Sequence, residues 1–221
     1  MRVTRTSLYE GARDATGTAV IIDVYRAFTT AAFCIAAGAT EVILTASHGA
    51  ALKLKAKDPT LFLTGEIGGK PIPGFDVGNS PSKIEGLDLG GRRVVQRTSA
   101  GTQGVVAAAN AERVVLGSFV IAAATARYLR SVGGDITLVA MGDDGAVKTA
   151  EDELCATYLE ALLAGKEPPI VPKLMRFTDQ ADWPDWFPMR DALLAGEVDR
   201  FDFALPVTRE DGLLIARPTF S

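Results

Sequence analysis

The sequence predicts an α/β chain with a three-layer α/β/α fold and a largely parallel or mixed sheet. Two observations lead there. Short β-rich runs alternate with Ala-rich helical stretches, the order that builds crossover connections between neighbouring strands. Runs such as VIID, RVVL and ITLVA carry few charges, as strands do when helices cover both faces of their sheet.

In chain order, Thr18 to Val24 (TAVIIDV) reads as a buried strand, and Thr29 to Gly38 as a helix ending at a glycine. Glu41 to Thr45 is a second strand. Ser47 to Lys57 is a helix whose first serine can accept from the free amides of the opening turn. Leu61 to Thr64 is a strand, and Gly65 to Pro81 a Gly/Pro-rich loop without periodicity. Arg93 to Arg97 is a strand, Thr102 to Asn110 a helix, Arg113 to Leu116 a strand and Ile121 to Val132 a helix. Ile136 to Ala140 is a strand and Ala150 to Ala164 a helix. From Glu167 to Pro188 the chain carries five of its 11 prolines and both tryptophans, the composition of an irregular, surface-wrapping segment. A short helix follows around Asp191 to Ala195, and FDFALPV leads to a final strand near Leu213 to Ala216. The expected division is a core over residues 1–165 and a C-terminal extension, 166–221, packed on the same domain.

Composition narrows the function classes. Of 221 residues, 48% are hydrophobic and 23% charged, enough to bury a sizeable core. A net charge of -4 argues against a general nucleic-acid binder, which carries a basic face, but leaves an anionic small molecule open. Cys34 and Cys155 lie in apolar helical text and are expected to be reduced core thiols. No run reaches the ~18 apolar residues of a membrane span. Met1 to Gly11 is polar rather than leader-like, so a cytoplasmic location is expected. The Ala-rich helix Ile121 to Val132 can pack within a monomer or across a homodimer.

In open α/β sheets, ligands collect beyond the carboxyl ends of the strands, and several of those ends here carry polar residues. The first leads into Asp23-Val24-Tyr25-Arg26-Ala27-Phe28-Thr29-Thr30: a carboxylate that can hold a cation, an arginine that can fork a phosphate, and two threonines entering a helix. A capped helix with a surface arginine would read the same way. The third leads into Gly65-Glu66 and then Gly74-Phe75-Asp76-Val77-Gly78-Asn79-Ser80-Pro81. Glu66 and Asp76 can ligate a metal, or Asp76 can order the loop; Ser80 and Pro81 read as the N-cap and first residue of a helix. The next end is Arg97-Thr98-Ser99-Ala100-Gly101-Thr102, a hydroxyl-rich turn without the Gly-Lys-Ser/Thr of a P-loop. Gly142-Asp143-Asp144-Gly145 precedes Glu151 and Asp152, acids that stabilise a helix start or complete a metal site. His48, the only histidine, has no evident nucleophile to activate and is expected on the surface.

Taken together, Asp-Val-x-Arg-Ala-x-Thr-Thr (residues 23–30), Gly-Glu-x-Gly-Gly (65–69), Gly-Phe-Asp-x-Gly-Asn-Ser-Pro (74–81), Thr-x-x-Gly-Thr (98–102), Gly-Ser-Phe (117–119) and Glu-Asp-x-x-Cys-Ala (151–156) resemble the 2-phosphosulfolactate phosphatase (ComB) family. The motifs occur in the family's order, from about residue 18 to 160, with a looser match around Val198-Asp199-Arg200. The resemblance implies a magnesium-dependent hydrolase of phosphate monoesters on 2-hydroxy carboxylic acids, a family that supports coenzyme M synthesis in archaea. Tyr25 and Phe28 stand where smaller residues are expected and Ser99-Ala100 where Thr-Asn is usual, all beside the expected substrate.

On that resemblance, Asp23, Arg26 and Glu66 are the expected catalytic residues. Asp23, Glu66 and Asp152 are the expected Mg²⁺ ligands. Thr29, Thr30, Asp76, Asn79, Ser80, Ser99, Gly101 and Thr102 are expected to bind substrate and phosphate, with Arg97 as a second cation for a carboxylate or sulfonate. A haloacid-dehalogenase enzyme would show Asp-x-Asp where this strand ends Asp-Val-Tyr. The alternative from another class is a non-catalytic anion- or nucleotide-binding α/β module.

Overall fold

A computed structural model of the chain describes residues 1–166 and 186–220. Its first parallel block is built around β2 (Thr18–Ile22), every residue of which is buried. β2 lies parallel between β8 (Arg113–Gly117) and β9 (Ile136–Ala140). β1 (Val3–Ser7) extends this block in parallel beyond β9, and α1 (Leu8–Arg13) follows it directly. Neither was foreseen, because VTRTS is an edge strand with a half-exposed, polar sequence.

A second parallel block holds β3 (Glu41–Leu44), β7 (Arg93–Arg97) and β4 (Phe62–Ile67). The short β5 (Lys70–Pro71) and β6 (Val77–Gly78) flank β4, so the expected loop contains two small strand pairings. β4 also runs further than expected, taking in Gly65 and Glu66. Gly65 pairs with Arg97 so closely that a Cβ there would lie 2.1 Å from the Arg97 carbonyl oxygen.

The last two strands join the blocks. β10 (Leu205–Glu210) and β11 (Leu213–Ala216) form a hairpin lying antiparallel to β8 on one side and to β3 on the other. The sheet order is β1-β9-β2-β8-β10-β11-β3-β7-β4-β5, so the C-terminal hairpin sits at the middle of the sheet. With three antiparallel steps between them, β2 and β4 run in opposite senses along that path. The carboxyl ends of β2 and β4 nevertheless open on one cavity, with Asp23 and Glu66 both in its wall. Gln96 of β7 fixes the meeting, donating to the Ala27 carbonyl at 2.7 Å.

Helices cover both faces. α2 (Ala27–Ala36), with no charged residue, is buried over almost its whole length and packs with α5 (Gly101–Ala107), Ile21, Leu116 and Val139 in the largest apolar cluster. α6 (Ala122–Val132) and α7 (Ala150–Leu163) cover the opposite face through Leu129, Leu138, Leu159 and Phe119. α3 (His48–Lys57) covers the second block; Ser47 caps it, accepting from the Ala50 amide at 3.2 Å, as its sequence predicts. α4 (Pro81–Ile84) and α8 (Met189–Ala195) are short and touch each other. The three-layer α/β/α architecture is thus present, on a mixed sheet. Both cysteines are free and buried, and His48 is exposed. Among the described residues no helix is long and apolar enough to cross a membrane. Except for residues 186–188, the Pro-rich stretch 167–188 lies outside the described residues.

Candidate active site

Where the two blocks meet, a cavity of about 460 Å³ opens, walled by Asp23, Arg26, Glu66, Asn79, Ser99 and Glu151, among others. Asp23 is the first residue after β2. It is buried, its Oδ1 accepts from the Ala27 amide at 2.9 Å, and the Gly101 amide also faces it. Burial pushes its carboxyl up to about 7; repulsion from Glu66 and Glu151 adds to this, while the two amides oppose it. Glu66, in β4, crosses to the turn after β7. Its Oε1 accepts from the Ser99 amide at 2.5 Å and its Oε2 from Ser99 Oγ at 3.1 Å and the Gly69 amide at 2.7 Å. This explains an acid at the end of an apolar strand: the carboxylate replaces water's hydrogen bonds with three protein donors.

Arg26 enters the cavity between aromatic rings, its guanidinium 4.5 Å from the Phe187 centroid and 5.7 Å from that of Trp186. Glu151, in the first turn of α7, also lines the cavity, and burial raises its carboxyl too. Asp143 and Asp144, in the loop after β9, stand at the exposed rim.

The other expected residues fall in different places. Asn79 and Ser99 line the cavity. Gly101 lies against Asp23: an added Cβ would stand 2.8 Å from Asp23 Oδ2. Arg97 sits behind the wall, donating to the carbonyls of Glu66 and Ala46. Ser80 donates to Asp191 Oδ1 at 2.8 Å. Thr102 exchanges bonds with Thr98 at the start of α5. Thr29 donates to the Val24 carbonyl, and Thr30 is fully buried in α2. Asp76 is paired with Lys55 at 3.0 Å and accepts from the Leu63 amide, which makes it a loop-ordering residue in this geometry. Asp152 lies one layer behind the cavity, its two oxygens accepting the amides of Val24 and Gly142, each at 2.8 Å. Burial, then Asp23 and Glu151, hold its carboxyl well above the ordinary range.

The strand ends thus present a buried carboxylate, further acids and, among the described residues, one arginine to a single cavity. The profile of the 2-phosphosulpholactate phosphatase family matches residues 5–183 of the chain. The chain belongs to this family. Relatives named "Probable 2-phosphosulfolactate phosphatase" include a protein of Deinococcus radiodurans, 43% identical over 148 residues, which are 66% of this chain and 62% of the relative. A second, from Carboxydothermus hydrogenoformans, is 37% identical over 162 residues, 73% of this chain and 64% of the relative. A third, from Bacillus subtilis, is 34% identical over 149 residues, 66% and 64%. The chain therefore spans a little under two thirds of the length of these relatives.

Within the 2-phosphosulpholactate phosphatase family pattern, the departures at Tyr25 and at Ser99-Ala100 do face the cavity. Phe28 does not: it is fully buried in the core around α2, so its size serves packing. The sequence left Glu151 and Asp152 as alternatives and did not foresee two further contributors. Glu151 rather than Asp152 reaches the cavity wall; both follow Thr149, and only the helix phase separates them. Phe187 stacks edge-on against Tyr25, ring centroids 5.6 Å apart, and Asp191 holds Arg26 at 2.9 Å. These two residues come from the far end of the chain and carried no signal of their own.

The donor set suits the magnesium that the family resemblance implies. Asp23 is desolvated beside Glu66 and Glu151, an arrangement a cation relieves. No three Asp, Glu, His or Cys side chains form a ready-made metal cluster among the described residues.

Proposed function

We propose that this chain hydrolyses the phosphate monoester of a small 2-hydroxy carboxylic acid, 2-phosphosulfolactate-like, to the free hydroxy acid and phosphate, with Mg²⁺ as cofactor. The observation that carries this reading is the pairing, in one cavity, of a desolvated carboxylate group around Asp23 with the guanidinium of Arg26. A pure anion binder gains nothing from acids beside its ligand, because like charges repel unless a cation intervenes. Asp23 and Glu151 would hold the ion, which when bound neutralises phosphoryl charge and orients water. Arg26 binds the phosphoryl oxygens and stabilises charge as the bond from phosphorus to the ester oxygen breaks. Glu66 keeps the Ser99 turn in place beside the substrate, and Asn79 offers a polar contact on the same wall. Water supplies the new phosphate oxygen, and the hydroxy acid leaves with its hydroxyl.

Phosphate release from phosphosulfolactate, phospholactate and phosphoglycolate, with and without Mg²⁺, tests the reading. Release that requires Mg²⁺ and falls at least about 100-fold in Asp23→Asn, the scale of losing one preorganised electrostatic group, is expected. Folded protein that releases no phosphate from any of them in Mg²⁺, and binds phosphate equally well or better as Asp23→Asn, would instead be an anion-binding module.

A further inference from the structure

Arg26 lines the cavity, and three protein acceptors hold its guanidinium there. Nη1 donates to Asp191 Oδ2 at 2.9 Å and to the Trp186 carbonyl at 3.2 Å; Nη2 donates to the Gly69 carbonyl at 3.3 Å. A guanidinium has five N–H donors. Among the described residues these contacts leave Nε–H and one Nη2 hydrogen without an acceptor, and an arginine can fork two oxygens of a phosphate through Nε and Nη2. The Phe187 ring lies against the guanidinium, so the group cannot swing away without losing that contact.

Asp191 backs Arg26 from inside the protein. Its side chain is 0% exposed and that of Arg26 4%. Its second oxygen accepts from Ser80 Oγ at 2.8 Å and the Ser82 amide at 2.9 Å. One carboxylate thus clamps Arg26, the segment from Asn79 into α4, and α8. A buried ion pair is weak evidence for stability, since removing two charges from water costs about what their attraction returns. Its place behind Arg26, which lines the cavity, gives it another use. We propose that Asp191 is a positioning residue, which fixes the Nη1 edge of Arg26 so that the opposite edge meets the phosphoryl group. This rests on the phosphatase reading for its role in turnover, but anion binding at Arg26 tests it separately.

The sign of the effect separates positioning from charge. Removing a carboxylate near an anion site should tighten anion binding if charge alone matters; loss of positioning should weaken it. The experiment compares the wild type with Asp191→Asn, Arg26→Ala and the double variant, each by calorimetric titration with inorganic phosphate and by phosphate release. Asp191→Asn is expected to weaken phosphate binding about fivefold or more and to slow release, while the double variant matches Arg26→Ala in both. Tighter binding in Asp191→Asn, or losses that multiply in the double variant, would overturn the proposal. Should Asp191→Asn not fold, Ser80→Ala, which frees one side of the Asp191 carboxylate, is expected to show the same sign at two- to threefold, and none of it in the Arg26→Ala background; an unchanged or tighter phosphate affinity refutes the proposal. A wild type that binds phosphate but releases none overturns the function and leaves the Asp191 cycle to be judged on binding. A wild type that does neither overturns both.

Discussion

At the scale of single residues, the site depends on how closely the turn after β7 approaches the end of β2. An added Cβ at Gly101 would lie 2.8 Å from both Asp23 Oδ2 and Ala27 Cβ, and 3.0 Å from Phe28 Cζ. Ala27 Cβ is fixed to the backbone and the other two atoms belong to buried side chains, so backbone must move. Gly101→Ala is therefore expected to cost about 1–3 kcal/mol, as overpacking usually does, and to slow phosphate release at least tenfold by displacing Asp23. Urea unfolding and initial rates measure the two effects; a variant with wild-type values in both would show that the approach is not tight in solution. The same crowding explains which site residues the sequence could reveal. Asp23, Arg26 and Glu66 sit at strand ends, where pattern and chemistry coincide. Thr29 and Thr30 have the same local signature, yet Thr29 turns back to the Val24 carbonyl and Thr30 packs inward. Asp191 lies 165 positions from its partner, beyond the reach of any spacing argument.

Among the elements, uninterrupted apolar runs were the easiest to read. The buried strands Ile136–Ala140 and Leu213–Ala216 are apolar runs, and the sequence reading gives the same limits. β10 escaped because Pro206, Arg209 and Glu210 make LPVTRE look like a connection, although Asp211-Gly212 behind it is a two-residue hairpin signal. Both residues have positive φ, 49° and 77°, as the mirror-image turn of a hairpin requires. A Cβ on Gly212 would meet nothing within 4 Å, so any penalty for a larger residue is conformational. Gly212→Val is expected to destabilise by about 1–2 kcal/mol, the cost of left-handed backbone for an L-residue. Because the hairpin lies between β8 and β3, hydrogen exchange should quicken in both strands together. Loss of protection confined to residues 205–216 would mean that the hairpin is not a cooperative part of the sheet.

For the whole molecule, the arrangement of two twisted blocks around one cavity gathers acids that would repel in isolation, and this should be visible in global stability. Burial, followed by mutual repulsion, raises the Asp23 carboxyl to about 7 and lifts those of Asp152 and Glu151. A carboxyl raised on folding favours the folded state below its unfolded pKa of about 4 and loses that contribution as pH rises through the folded value. Without metal, stability should therefore fall between about pH 4 and pH 7 on account of these groups, with other ionisations superimposed. A bound Mg²⁺ stabilises the folded state by mass action, and it needs the ionised carboxylates. Its effect should be small at pH 5 and large at pH 8. Thermal melts with and without millimolar Mg²⁺ at the two pH values isolate this difference, because titrations unrelated to the ion cancel. For a chain of this length each kcal/mol moves Tm by about 2–4 °C, so an increment of several degrees at pH 8 that nearly vanishes at pH 5 is expected. Asp23→Asn removes the anchoring charge and should abolish most of the increment at pH 8, while raising the stability of the metal-free protein there. An increment equal at both pH values, or one that survives in Asp23→Asn, would place the ion away from this cavity.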